Sequence, residues 1–355
     1  MGLTFNVQPV RAEPKTWTVN DDGPADFHTI QEAVNSPQVM DGDSIYVYNG
    51  TYYENVVMNK SVSLIGENKD FTIIDANGTG NVLVAQADYI TVDGFTIQNG
   101  GFGVALMGNS TKRYVGNAVT GNIFRNNADA IGLSTCDRNI LANNTFQNNV
   151  ANIIVGWLNP FVSWDVTSNY NTITGNNMTQ GVVGITILYS KHNIVSENTI
   201  SNMTDKGITF LSGGGYPFVP IVTNNSLCNN VIVNCTSGLI FAAGSGSCNN
   251  ITGNVIQYNE LGLCIEQSNN TIMDNTIANN AFGMYLTSKN NLLRTNVMFE
   301  NVYNLVEITY MPYNPPPYND IDTSNTVNGK PIYYLFNQTN LNINPSTYPD
   351  MGFLA

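Results

Sequence analysis

The feature that most constrains this chain is a repeat, Asn-x-Φ-x-x-Asn-x-Φ with Φ apolar. It runs Asn117/Val119/Asn122/Phe124, Asn139/Leu141/Asn144/Phe146, Asn171/Ile173/Asn176/Met178 and Asn193/Val195/Asn198/Ile200. It continues as Asn225/Leu227/Asn230/Ile232, Asn249/Ile251/Asn254/Ile256, Asn270/Ile272/Asn275/Ile277 and Asn291/Leu293/Asn296/Met298. An earlier copy, Asp88/Ile90/Asp93/Phe95, carries Asp in place of Asn. Successive second asparagines are 22, 32, 22, 32, 24, 21 and 21 residues apart. After each unit comes a second short alternation, often opened by glycine: Gly184-Ile185-x-Ile187, Gly207-Ile208-x-Phe210, Gly262-Leu263-x-Ile265, Gly283-Met284-x-Leu286. Alternation with a period of two means strands. One coil of two or three short strands cannot bury its apolar side alone, so the coils must stack, their strands pairing in parallel about 4.8 Å apart. The expectation is an all-β chain, a right-handed parallel β-helix of about ten coils.

The chain holds 56 asparagines in 355 residues. Asparagine tolerates left-handed backbone at turns, and identical amides stacked along an axis hydrogen-bond as a ladder. Asn254 is therefore expected inside such a ladder. Asn280, which is neither of the two repeat asparagines, is expected to face outward. An open coil exposes core and strand edges, so the ends need caps. Residues 26–35 (DFHTIQEAVN) fit an amphipathic capping helix with Asp26 as N-cap and Ile30, Ala33 and Val34 on one face. Gly42-Asp43-x-Ile45-x-Val47 then opens the first coil, which Val62-x-Leu64 and Thr72-Ile73-Ile74 continue.

A net charge of −13 and a pI near 4.3 argue against nucleic acid and anionic membrane surfaces as partners. No apolar run reaches the roughly 20 residues needed to span a membrane. Val10-Arg11-Ala12 is a small-x-small pattern of the kind that precedes signal cleavage, so residues 1–12 read as the remnant of a secretory signal. Twelve Asn-x-Ser/Thr triplets, among them those at Asn49, Asn109, Asn202 and Asn269, fit a secreted, extracellular or cell-surface glycoprotein. The five cysteines, Cys136, Cys228, Cys235, Cys248 and Cys264, have neither zinc nor redox spacing. They leave room for a disulfide and at least one unpaired thiol.

The run DFHTIQEAVN…GDSIYVYNGTYYENVVMNKSVSLIGEN…TIID, followed by the N-x-I-x-x-N units, resembles the NosD-like branch of the pectin-lyase-fold proteins, known from secreted and surface proteins, many of them archaeal. The resemblance covers Trp17 to about Tyr334 and includes Asp322–Tyr334 (DTSNTVNGKPIYY), similar to the family's post-helix segment. The organisation expected is a signal remnant at 1–12, the β-helix at 13–310, and a Pro/Tyr loop with the start of a C-terminal extension at 311–355. Because the resembling family continues into further coils, the natural protein is expected to be longer, and the chain ending at Ala355 either to expose an edge there or to self-associate end to end through it.

The pectin-lyase fold that the resemblance implies includes lyases, hydrolases, esterases and epimerases acting on polysaccharides. A glycosidase needs two carboxyl groups about 5–9.5 Å apart, which on a β-helix means matched positions one or two coils apart. Only Asp75 beside Asp93 fits, if their coil is 18 residues long; the same register would set Asp70 beside Asp88. His28 and His192 are isolated, and Arg113, Arg125, Arg138 and Arg294 are scattered, so no uronate-neutralising cluster is legible. The name NosD links the family to copper, but the methionines, such as Met178, Met284 and Met298, fall singly at Φ positions and read as core. Asn319-Asp320-x-Asp322-x-x-Asn325 lacks the glycine and distal Glu of a calcium loop. No cofactor or metal is expected.

The two 32-residue steps each carry about ten extra residues after the Φ-x-Φ strand. One insertion holds Trp157, Phe161, Trp164 and Tyr170; the other holds Tyr216 and Phe218. A third segment, with Tyr310 and Tyr313, leaves its coil at a similar point. Aromatics on proline-stiffened loops at one corner are either exposed platforms for sugar rings or for another surface protein, or lids that fold down over an apolar face of the helix. The expected function is a non-catalytic secreted or surface module binding polysaccharide or a surface glycoprotein through these residues. The alternative is a polysaccharide-active enzyme using Asp75 and Asp93.

Overall fold

A computed structural model of the protein describes residues 13–109, 111–156, 167–212, 222–242, 246–307, 318–336 and 338–354. The repeat becomes a parallel β-solenoid. Its first face is a 13-stranded parallel sheet that begins with Thr16–Val19 and ends with Asp320–Ile321. The other two faces form one 22-stranded sheet, because Thr145–Val155, Asn177–Leu188 and Thr199–Leu211 run without interruption around the corner between them. Thirteen strands on the first face mean more coils than the asparagine repeat alone reveals.

Each inward row is a column of stacked apolar side chains. On the first face Leu64, Val92, Val119, Leu141, Ile173, Val195, Leu227, Ile251, Ile272 and Leu293 lie in register and are buried. On the second face the rings of Phe124 and Phe146 stack at 5.1 Å, and on the third those of Phe210 and Phe241 stack at 4.5 Å. The glycines that open the third face have a steric cause. A Cβ on Gly207 would lie 2.5 Å from Ile232 Cγ2 and 2.6 Å from the Gly238 carbonyl oxygen.

The asparagines divide their labour differently from the sequence expectation. The two repeat columns are buried ladders: Asn144 Nδ2 donates to Asn176 Oδ1 (3.1 Å), Asn176 to Asn198 (2.9 Å), Asn198 to Asn230 (3.0 Å) and Asn230 to Asn254 (3.0 Å). Left-handed backbone falls on the residue before each ladder position instead, as at Asn143, Glu197, Asn229 and Asp274. A third ladder runs at the next corner, through Asn127 and Asn149 and again through Asn259, Asn280 and Asn301. Asn280 is thus 2% exposed and does not face outward.

The capping helix is shorter than expected, Ile30–Asn35, and Thr29 is its N-cap, accepting from Glu32 N. Asp26 is engaged elsewhere, accepting from Thr18 N and Oγ1. Glu54 completes the cap: its two oxygens accept the helix's leading N–H groups, Ile30 N at 2.9 Å and Gln31 N at 2.8 Å, placing negative charge where the helix dipole favours it. The predicted face of Ile30, Ala33 and Val34 is buried. At the other end, parallel pairing carries on past residue 310 through Asp320–Ile321 and Thr326–Val327. The chain then reverses at Asn328-Gly329, both with positive φ, into the antiparallel strand Lys330–Tyr333, as an Asn-Gly hairpin requires.

Candidate functional site

The strands Thr145–Val155 and Thr199–Leu211, which precede residues 157–166 and 213–221 in sequence, end at the corner joining the third face to the first. Val155 and Phe210 both lie in register with Ile187, so the strands preceding the two insertions end in matching rows of the third face. At this corner the residue before each first-ladder asparagine has a positive φ: Gly116, Arg138, Tyr170, His192, Asn224, Cys248, Asn269 and Asn290. That geometry turns the side chains outward in one column. The rings of Tyr170 and His192 stack face to face, 4.7 Å apart and 4° from parallel, and the Arg138 guanidinium lies 5.2 Å from the Tyr170 centroid. Tyr170 is 49% exposed, and Arg138 and His192 are also exposed. Behind the stack, Arg113 grips Asp137 with two hydrogen bonds of 2.8 and 2.7 Å. Asp137 Oδ1 also accepts Asn169 N, and Asn169 Oδ1 accepts Lys191 N, so three consecutive coils are tied together beneath the stack. The result is a rigid, exposed strip of guanidinium, phenol and imidazole, offering ring edges, a cation and hydrogen-bonding groups.

Sequence reasoning treated Arg138 and His192 as isolated residues and Tyr170 as part of an insertion. The signal that unites them is phase: Arg138-Asn139, Tyr170-Asn171 and His192-Asn193 occupy the same repeat position. Trp157, Phe161, Trp164, Tyr216, Phe218, Tyr310 and Tyr313 lie outside the described residues.

Asp75 and Asp93 are not neighbours in register. Asp75 ends a second-face strand and pairs with Gln98, whereas Asp93 ends a first-face strand and pairs with Ile65 and Thr120. The Asp75 carboxylate is buried and saturated: Oδ1 accepts Asn77 N, and Oδ2 accepts Gln98 Nε2 and Asn99 Nδ2. Arg125 Nε in turn donates to Gln98 Oε1. Asp93 Oδ1 accepts Thr120 Oγ1. Asp70 N donates to Asn68 Oδ1 in a turn, and Asp88 accepts Val115 N. A shallow groove of 550 Å³ lined by Asn77, Gly78, Asn99, Gly100, Gly101 and Asn126 lies at the corner between the second and third faces, and Asp75 holds two of its asparagines in place.

Of the acidic C-terminal stretch, Asn319 and Asn325 are ladder residues, and Asp320 and Asp322 both pair with Arg294. The described cysteines are unpaired. Burial pushes the Cys136 and Cys264 thiols up to about 12 and raises Cys235 as well.

The fold and this surface define the class: a parallel β-helix that displays a strip of stacked side chains on a rigid corner. Residues 36–227 and 161–310 match the family described as periplasmic copper-binding protein (NosD), and the chain belongs to that family. A cell surface glycoprotein of Methanothermus fervidus is 27% identical over 266 residues, 65% of this chain and 42% of that protein, so the chain spans less than half of the curated relative. Among solved structures, a GH136 lacto-N-biosidase from Eubacterium ramulus has a TM-score of 0.62 at 12% identity, covering 88% of this chain and 67% of that one. A tailspike protein of E. coli bacteriophage HK620, in complex with a pentasaccharide, has a TM-score of 0.57 at 13% identity, covering 84% and 62%. An alginate lyase from a Paenibacillus species has a TM-score of 0.54 at 12% identity, covering 86% and 97%. These likenesses show the fold. Among the described residues, no helix is long and apolar enough to cross a membrane.

Copper is the metal that the family description carries, and the described residues do not fit it. Among them no three His, Cys, Asp or Glu side chains converge as a metal site requires. Met178, Met284 and Met298 are fully buried on inward rows, and His192 is stacked on Tyr170.

Proposed function

We propose that this protein is a non-catalytic module displayed outside the cell, binding polysaccharide or a surface glycoprotein along the corner between the third and first faces. The observation that carries this reading is the exposed Arg138–Tyr170–His192 stack; in this reading Trp157, Phe161, Trp164, Tyr216 and Phe218, in the sequence insertions that follow third-face strands, add to it. Tyr310 and Tyr313 of the third segment extend the same platform in this reading. The company of a cell-surface glycoprotein and of carbohydrate-handling β-helices supports it. A flat strip on a stiff scaffold loses little entropy on binding. Each ring contact contributes only about 0.5–1.5 kcal/mol, so affinity accumulates over several sugar units.

Titration with neutral and acidic oligosaccharides of increasing length, read by tryptophan emission and calorimetry, tests the proposal. Longer chains should bind more tightly than monosaccharides, with little salt dependence. Tyr170→Ala should weaken binding by about 2- to 10-fold at an unchanged melting temperature, and Trp164→Ala should behave alike. Undiminished binding by both variants would overturn the assignment of the corner. A loss of about 3 kcal/mol or more of stability in Trp164→Ala would mark that segment as a packed lid. Steady release of unsaturated or reducing ends from pectate or alginate, lost in Asp75→Asn or Asp93→Asn, would favour the enzyme instead.

A further inference from the structure

The solenoid separates its asparagines into two chemically distinct populations. Ladder asparagines bury their amides: Nδ2 of Asn144, Asn198 and Asn254 donates to a neighbouring ladder Oδ1 and to a backbone carbonyl. Two residues on from each stands an inward apolar side chain, Phe146, Ile200 and Ile256. A ladder position therefore cannot become an Asn-x-Ser/Thr triplet without driving a hydroxyl into the core. The triplets fall on the other population. Asn49, Asn59, Asn77, Asn109, Asn143, Asn177, Asn202, Asn224, Asn234, Asn250 and Asn269 are all exposed. Six of them (Asn77, Asn143, Asn202, Asn224, Asn234 and Asn269) occupy the positive-φ corner positions that project side chains into solvent. Two have the hydroxyl of the triplet already on the amide carbonyl. Asn109 Oδ1 accepts Thr111 N at 2.9 Å and Oγ1 at 2.8 Å, and Asn250 Oδ1 accepts Thr252 Oγ1 at 2.8 Å.

We infer that these exposed asparagines are N-glycosylation sites, with Asn109 and Asn250 the best pre-arranged. The glycans would then lie on the outer sides of the first and second faces and at the corners, those at Asn224 and Asn269 falling on the coils that follow the Arg138–Tyr170–His192 strip rather than on the strip itself. In the transfer, Nδ2 attacks the anomeric carbon of a lipid-phosphate-linked oligosaccharide. The C1–O bond to phosphate breaks, the lipid phosphate leaves, and the displaced amide proton passes to a base of the transferase. The third face carries no attachment point on its strands Phe102–Met107, Asp129–Ser134, Ser237–Phe241, Leu261–Ile265, Phe282–Leu286 and Tyr303–Glu307. Its outer rows remain bare of sugar.

Glycopeptide mass spectrometry on protein purified from the cells that make it tests the inference. Peptides containing Asn109 and Asn250 should carry glycan mass, and Asn291, a ladder position in the triplet-free segment 290–294 between Lys289 and Thr295, should carry none. Thr111→Ala and Thr252→Ala, both at surface positions, should each remove one glycan's mass while leaving far-UV circular dichroism unchanged. Unmodified Asn109 and Asn250 peptides, or glycan mass that survives both substitutions at those sites, would overturn it. Sugar binding is measured on unglycosylated recombinant protein, so loss of this inference leaves the binding reading standing, and the reverse.

Discussion

The ladders carry a sharp energetic prediction at Asn254. Its Oδ1 accepts both Asn230 N and Asn230 Nδ2 at 3.0 Å, and its Nδ2 donates to Asn275 Oδ1 at 2.9 Å and to the Leu227 and Thr252 carbonyls at 3.1 and 3.3 Å. Asn254→Leu removes all five bonds. Asn230 Nδ2 keeps the Val195 carbonyl, and Asn275 Oδ1 keeps Asn254 N, but the buried Asn230 N–H is left with no acceptor. An orphaned buried donor costs about 1–3 kcal/mol and each of the four other lost bonds about 0.5 kcal/mol at the low end of its net worth, so the total is about 3–5 kcal/mol. Asn250→Leu makes the same chemical change at an exposed position of the same coil and should cost under about 0.5 kcal/mol. Asn280→Leu should resemble Asn254→Leu, because Asn280 Oδ1 accepts Asn259 N and Nδ2 and its own Nδ2 donates to Asn301 Oδ1. Urea midpoints followed by circular dichroism measure the ranking, and hydrogen exchange at the Asn230 amide reports the orphaned donor directly. Equal midpoints for Asn254→Leu and Asn250→Leu would refute the ladder's energetic role. An Asn280→Leu variant that behaves like Asn250→Leu would remove the third ladder.

Three further outcomes follow from local geometry. Gly207→Ala places a Cβ against Ile232 and the Gly238 carbonyl and should destabilise by about 1–3 kcal/mol; an unchanged melting temperature would show that the coil yields freely there. Burial alone would raise the Asp43 carboxyl, but Lys15 N, Met40 N and the Trp17 indole N–H donate to its charged form and hold it below the ordinary value. A depressed folded value means stabilisation that is present above the unfolded pKa of about 3.9 and lost as pH falls through the folded one. Trp17 emission should therefore change below about pH 4 in a step that Asp43→Asn abolishes; a surviving step would assign it elsewhere. Native alkylation should reach exposed Cys248 while Cys136 and Cys264, buried and raised to about 12, react only after unfolding; early labelling of Cys136 would mean that the coils open locally.

The sequence by itself determined the solenoid. A repeat in steps near 22 residues, with an apolar side chain two after each asparagine, leaves stacked parallel coils as the economical way to bury every Φ residue, and the two principal ladders were legible from it. The third ladder was not, because its column passes through Gly181 and Met203 and meets Cys235 between its asparagine runs, which erases the pattern where it would have been read. Contact between coils also depends on the length of each coil, which local pattern does not reveal. Asp75 and Asp93, 18 residues apart, occupy different faces, while Asp75 meets Gln98 and Asn99 of the next coil. Only the tertiary structure brought Arg138, Tyr170 and His192 together, since they stack across separations of 32 and 22 residues. The positive-φ residue that precedes each ladder asparagine sends its side chain outward, and coils spaced at about 4.8 Å bring successive ones into ring-stacking distance.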